Sequence, residues 1–107
     1  MPVRVQYTWK AREDLLDLFA LIASDGGDER AESILRRIKL TAAALADWPG
    51  IGRLRPDLEG KPRTFAVWPW LIVYEAQPGD NGIFTWRIID GRRDLTALIH
   101  PPDATEP

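Results

Sequence analysis

Arg63-Thr64-Phe65-Ala66-Val67-Trp68, Pro69, Trp70-Leu71-Ile72-Val73-Tyr74-Glu75-Ala76-Gln77, Pro78-Gly79-Asp80-Asn81-Gly82 and Ile83-Phe84-Thr85-Trp86-Arg87-Ile88-Ile89-Asp90 follow one another without a gap, and the punctuation of this stretch decides the fold. Runs rich in β-branched and aromatic residues are broken first by a single proline and then by a cluster of Pro, Gly, Asp and Asn. The runs suit a pleated, half-buried surface, and the breaks suit tight reversals. The stretch reads as a three-strand antiparallel meander.

Toward the amino terminus, Val3, Val5 and Tyr7 alternate with Arg4, Gln6 and Thr8, the period of a strand with one buried face. This first strand is expected to pair with the meander. Thr8 is placed to cap a helix over residues 9–24, whose apolar stripe is Ala11, Leu15, Leu18, Phe19 and Ile22. Asp25-Gly26-Gly27-Asp28 then supplies a stop and, in Asp28, a capping aspartate. A second stripe, Ala31, Ile34, Leu35, Ile38, Ala42 and Leu45, runs to Asp47-Trp48-Pro49-Gly50, where proline ends the ladder. Helices joined so tightly form a hairpin.

Residues 50–62, rich in Gly, Pro and charge, read as a surface loop carrying Arg53, Arg55 and Lys61, with Arg63 at its end. Beyond the meander, Asp94 is placed to cap a short turn through Leu95 to Ile99. The fold class is therefore α+β: strand, helical hairpin, three-strand antiparallel meander and a short C-terminal turn. The hairpin is expected to cover one face of a four-strand sheet, against Phe65, Ile72, Tyr74, Trp86 and Ile88. A single domain over residues 1–100 and a flexible tail over residues 101–107 are expected. Such a sheet ends in edges whose unpaired N–H and C=O groups invite strand addition by another chain.

Composition narrows the chemistry. The chain has 107 residues, no cysteine and a single histidine, His100, so disulfides, Cys/His pairs and two-histidine metal sites are excluded. No cofactor and no metal are expected. Gly50-Ile51-Gly52 lacks the Lys-Ser/Thr ending of a phosphate-binding loop and follows a helix, where such a loop follows a strand. The apolar run Trp70–Tyr74 is far too short to span a bilayer, and Met1-Pro2-Val3-Arg4 lacks a signal-peptide core, so a cytoplasmic protein without membrane contact is expected. A formal net charge of −2 argues against sequence-specific DNA binding by this chain alone.

Leu45-Ala46-Asp47-Trp48-Pro49-Gly50-Ile51-Gly52-Arg53-Leu54-Arg55-Pro56, then Arg63-Thr64-Phe65-Ala66-Val67, Leu71-Ile72-Val73-Tyr74 and Gly91-Arg92-Arg93-Asp94, resembles the ParE branch of the ParE/RelE superfamily of toxins from type II toxin–antitoxin systems. Ala11, Asp14-Leu15, Ile22, Ala31 and Ile38 are similar to that family's helical hairpin. The resemblance runs from about residue 3 to residue 100. It implies a toxin neutralised by a cognate antitoxin, a small, partly disordered protein.

The two branches imply different chemistry. RelE-like members cleave messenger RNA on the ribosome, which requires a base, a general acid and cations around the developing charge. Their pattern sets an arginine after an aromatic residue at the start of the third strand, where this chain has Trp70-Leu71. Arg93 matches a RelE-like arginine, and His100 falls near the position of a terminal Tyr or His in that branch, so these two are the catalytic candidates of a nuclease reading. ParE-like members are associated with DNA gyrase, which implies a protein-binding activity with no catalytic residue. Arg53, Arg55, Arg63, Arg92 and Arg93 are the target-binding candidates of that reading. Ala31, Leu35, Arg36, Arg37, Trp68 and Trp70 are the antitoxin-binding candidates. A third reading keeps the fold as a non-toxic protein-binding module. Plainer roles stand beside these: Arg53 and Arg55 as loop charges near Asp57 and Glu59, Arg92 and Arg93 as partners of Asp90 and Asp94, and the tryptophans as packing residues.

Overall fold

A computed structural model describes residues 4–103. The elements in chain order are β1 (Val5–Tyr7), α1 (Trp9–Gly26), α2 (Asp28–Asp47), β2 (Arg53–Leu54), β3 (Arg63–Val67), β4 (Trp70–Ala76), β5 (Ile83–Asp90) and α3 (Leu95–Leu98). Val3, expected in the first strand, and residues 104–107 of the expected tail lie outside the described residues.

Thr8 joins three elements. Its hydroxyl oxygen accepts from Ala11 N–H at 2.9 Å, its O–H donates to the Trp86 carbonyl at 2.8 Å, and its amide donates to the Thr85 carbonyl at 3.0 Å. One threonine thus ends β1, caps α1 and ties both to β5. Between the helices the cap is Gly27, at φ 89°, and Asp28 sits inside the first turn of α2 with no capping role for its side chain. A positive φ favours glycine, and Asp28 there still complements the helix dipole.

The sheet has five strands in the order β1-β5-β4-β3-β2. The meander forms as expected, and β1 pairs parallel to β5, with Val5 opposite Ile83. The fifth strand is a correction: Arg53 and Leu54, expected in a loop, pair with Thr64 and Arg63 and form the edge beyond β3. A two-residue strand has no period to read, and its pairing is created by β3.

The helical hairpin covers one face. Leu18 and Ile22 of α1 and Ala31, Ile38, Ala42 and Leu45 of α2 pack with Ile72, Tyr74, Ile83 and Ile88, with Phe65 at the margin. Alanine at positions 31 and 42, with no exposed surface, lets the helices approach closely. Trp86 departs from the expectation. It lies on the opposite face with Leu58, Val73, Ile89 and Ile99. The cause is a register shift: Val73 faces Arg87 and Tyr74 faces Thr85, so Trp86 is an extra residue without a partner on β4. Such a bulge reverses which face each later residue meets.

Asp94 caps α3 by accepting from Ala97 N–H at 3.4 Å. No helix among the described residues is long and apolar enough to cross a membrane.

Candidate functional site

Two surfaces at opposite ends of β3 collect most of the candidate residues. At the Arg63 end, the chain leaving α2 makes a tight turn over Pro49–Ile51 before β2. Tyr74, fully buried on β4, reaches into it: its hydroxyl donates to the Pro49 carbonyl at 2.6 Å and accepts from Gly52 N–H at 3.0 Å. Burial raises the pKa of this phenol, outweighing the Gly52 N–H and the Arg63 charge, which lower it. It therefore stays protonated and serves as donor and acceptor at once. The Gly52 carbonyl accepts from Arg63 Nη1 at 2.9 Å. A Cβ at position 52 would lie 2.1 Å from the Tyr74 hydroxyl oxygen, so only glycine fits between these partners.

The arginines of this segment divide by role. Arg55 grips Asp57 through Nε at 3.0 Å and Nη2 at 2.8 Å, a pairing that raises its own pKa and lowers that of Asp57. Arg63 is half-buried and engaged by Gly52. The Arg53 side chain is exposed, with no hydrogen bond or ion pair of its own among the described residues, although its charge helps to lower the pKa of Asp57. Trp48, Ile51 and Leu54 of the same segment are also exposed, at 69%, 59% and 49%.

At the other end, where β3 turns into β4, Trp68 is exposed and Trp70 is half-buried against the helix-side core. Trp70 and Leu21 are shared by two adjoining clefts between α1 and the sheet. The smaller, about 270 Å³, contains Asp17, Leu18, Asp90 and Arg93; the larger, about 490 Å³, contains Ile22, Arg30, Ile34 and Pro69. Arg92 is held by Asp90, which accepts from its backbone N–H and Nε, both at 2.9 Å, and from Nη2 at 2.5 Å. These bonds hold the Asp90 carboxyl at a pKa of about 2. Arg93 is exposed, faces the smaller cleft and has no such partner.

His100 is elsewhere. It contacts Glu59 at 3.3 Å and the Ala97 carbonyl at 3.1 Å, on the rim of a separate cavity of about 300 Å³ with Thr8, Lys10, Trp86 and Leu98. Arg87 lines this cavity and the Arg93 cleft alike, with its guanidinium locked to Asp14 at 2.7 and 3.0 Å. The two nuclease candidates, Arg93 and His100, therefore do not share a cavity. Leu71 extends from β4 and packs against the cluster around Trp86. No group of three His, Cys, Asp or Glu side chains among the described residues is placed to hold a metal ion.

The antitoxin-binding candidates on α2 are also dispersed. Ala31 has no exposed surface, because its side chain is used in helix packing. Leu35 is half-buried and, with the exposed Arg36, lines a shallow apolar depression beside Lys39 and Leu40. Arg37 is exposed. Sequence reasoning missed Leu21, Leu40, Trp48, Ile51 and Leu54 as exposed apolar residues, and Tyr74 and Arg87 as organising ones. A signal existed for Leu21 and Leu40, which fall off the apolar stripes of their helices.

The chain matches the model of the family described as ParE toxin of type II toxin-antitoxin system, parDE, over residues 5–95. It is 35% identical to Toxin ParE3 of Caulobacter vibrioides over 96 residues, covering 90% of this chain and 94% of that protein. Its fold is similar to a chain from the chromosomal ParDE TA system from P. aeruginosa, with a TM-score of 0.68 at 22% identity, over 82% of this chain and 95% of that one. An α+β domain of this topology, matched by the family model along nearly its whole length and by a relative of the same size, belongs to the ParE toxin family of type II toxin–antitoxin systems.

Proposed function

We propose that this ParE-type toxin arrests growth in the cytoplasm by binding DNA gyrase, without hydrolytic chemistry, and that a cognate antitoxin, small and partly disordered, neutralises it. The observation that carries this reading is the separation of Arg93 from His100 into different cavities, with Leu71 where the RelE-like pattern has an arginine. RNA cleavage by the substrate's own 2′-hydroxyl needs base, acid and cations converging on one phosphate. Arg55 and Arg92, occupied by Asp57 and Asp90, offer little to such a phosphate.

The features left over favour protein recognition. The joined clefts along Leu21 and Trp70 have an apolar floor and charged ends in Asp17, Arg93 and Arg30, suited to an amphipathic segment of the antitoxin. Folding of a disordered segment on this surface wraps a large area at a cost in ordering entropy.

Purified toxin added to gyrase supercoiling reactions is expected to inhibit them, while messenger RNA on translating ribosomes stays intact. Message cleavage that disappears with Arg93→Ala would replace this reading with the RelE-like one. Absence of growth arrest on induction would leave the non-toxic binding module.

A further inference from the structure

We propose that the outer face of the helical hairpin is self-complementary and pairs with a second copy of this chain, α1 of one protomer lying over α2 of the other. The inference is independent of which protein the toxin acts on.

Both helices keep large apolar side chains on the side turned away from the sheet. On α1, Trp9 and Leu16 are two turns apart and share the side opposite the buried Ala11, Leu18 and Ile22, at 56% and 72% exposure. On α2, Leu40 lies opposite the buried Ala31, Ile38 and Ala42, at 63% exposure, with the exposed Ala44 one turn further on. The helices run antiparallel about Gly27, so residues equally far from it in sequence stand at equal height on the hairpin. Leu16 and Leu40 differ in that distance by two residues, about 3 Å along the axis, and Trp9 and Ala44 by one. Leucine is level with leucine, and tryptophan with alanine. Large and small side chains at matching heights are the relief with which facing helix pairs interdigitate. Solvent alone gives no reason to display tryptophan and two leucines on one outer face.

Charge selects both the occupant and the axis. The exposed Glu13 and Asp17 flank Leu16 on α1, and the exposed Arg36 and Arg37 precede Leu40 by one turn on α2. Neither arginine is in an ion pair among the described residues. The nearby cations of α1 are engaged locally: Lys10 stands 3.8 Å from Glu13 in an exposed contact worth little, and Arg12 lies over the Trp9 ring, 5.2 Å from its centre. Asp17, which also borders the smaller cleft, and Arg37 are equally far from Gly27 and so stand level. A two-fold axis parallel to the helices therefore sets Asp17 of one protomer against the arginines of the other and Leu16 against Leu40, and symmetry repeats both contacts. An axis across the helices would set α1 on α1, acid against acid, and α2 on α2, arginine against arginine.

The test is sedimentation of the purified full-length toxin over a wide range of concentration, at low and at high salt. The parent is expected to dimerise reversibly and to do so less readily as salt screens its charges. Glu13→Lys with Asp17→Lys makes both helix faces basic, and Arg36→Glu with Arg37→Glu makes both acidic; each pair of substitutions is expected to weaken the dimer about tenfold or more. All four substitutions in one chain restore opposite charges between α1 and α2, and the affinity should return to within about threefold of the parent, which no folding defect would do. Leu40→Lys should leave a monomer with the parent's melting temperature. Charge-reversed pairs that dimerise like the parent overturn the proposal, and a four-substitution chain that stays monomeric overturns the crossing of α1 over α2. A parent monomeric throughout overturns it as well; if Leu40→Lys then weakens antitoxin binding, the face belongs to the antitoxin.

Discussion

The Asp14 carboxylate on α1 holds the Arg87 guanidinium on β5 through two parallel hydrogen bonds, 2.7 Å to Nε and 3.0 Å to Nη2. Asp14 Oδ2 also accepts from the Ile88 backbone N–H at 3.0 Å, just beyond the bulge at Trp86. Both side chains are mostly shielded from water, at 10% and 15% exposure. A fork-shaped pair of this kind is stronger than a surface ion pair, and it anchors the first helix to the sheet where the ladder is interrupted. Replacing Asp14 by Ala leaves a guanidinium without its partner and a backbone N–H without an acceptor. The expected loss is about 3 kcal/mol, read from urea unfolding, with a fall in melting temperature of about 10 °C or more. A loss below about 0.5 kcal/mol would show the pair to be dispensable.

Tyr74→Phe keeps the ring and removes the hydroxyl that joins Pro49 to Gly52. A buried N–H left without an acceptor costs about 1–3 kcal/mol. Hydrogen exchange gives the sharper readout: the Gly52 amide should lose protection while the Ile72 and Val73 amides in the middle of β4 keep theirs. Equal loss across β4 would mean that the hydroxyl supports the whole strand and not the turn.

Gly52→Ala forces a methyl group toward the Tyr74 ring, to within 2.1 Å of its oxygen and 2.8 Å of its nearest carbons. Overpacking of this kind costs about 1–3 kcal/mol, and more where backbone must move. In a Tyr74→Phe background the closest clash disappears but the ring carbons remain. The double-mutant cycle should therefore show the two losses to be less than additive, by about 0.5 kcal/mol or more. Strict additivity would mean that the backbone shifts to avoid the contact.

Asp90 titrates at about 2 because its bonds to the Arg92 side chain and backbone N–H favour the carboxylate. Its folded value lies below the ordinary 3.8, so its contribution is present above pH 3.8 and disappears as the pH falls from there toward 2. In an NMR titration the Asp90 carboxyl should show this depressed midpoint in the parent and return toward 3.8 in Arg92→Ala. The variant should also lose less stability than the parent over that acid interval. A midpoint unchanged by Arg92→Ala would point to another cause.

Local chemistry alone determined the helices and the longer strands. Thr8 and Asp94 cap helices wherever they precede a helical run, Pro49 and Pro69 interrupt what comes before them, and the spacing of Leu18, Ile22, Ile38 and Leu45 marks the buried faces. These are properties of neighbours in the chain, so they are legible without coordinates, as was the run of motifs that placed the chain in its family. The tertiary structure alone decided what depends on partners far apart in sequence. Arg87 and Asp14 are 73 positions apart, and nothing in either segment names the other. One extra residue at Trp86 reversed the face it occupies, because alternation carries no record of a bulge in the register with β4. β2 became a strand because β3 offered it an edge. The arginines that looked alike in the sequence were separated by their acceptors: Asp57 took Arg55, the Gly52 carbonyl took Arg63 and Asp90 took Arg92, which left Arg53 and Arg93 facing outward. Side-chain hydrogen bonding is settled by three-dimensional proximity, and that is why the family could be read from the chain while the partners of its arginines could not.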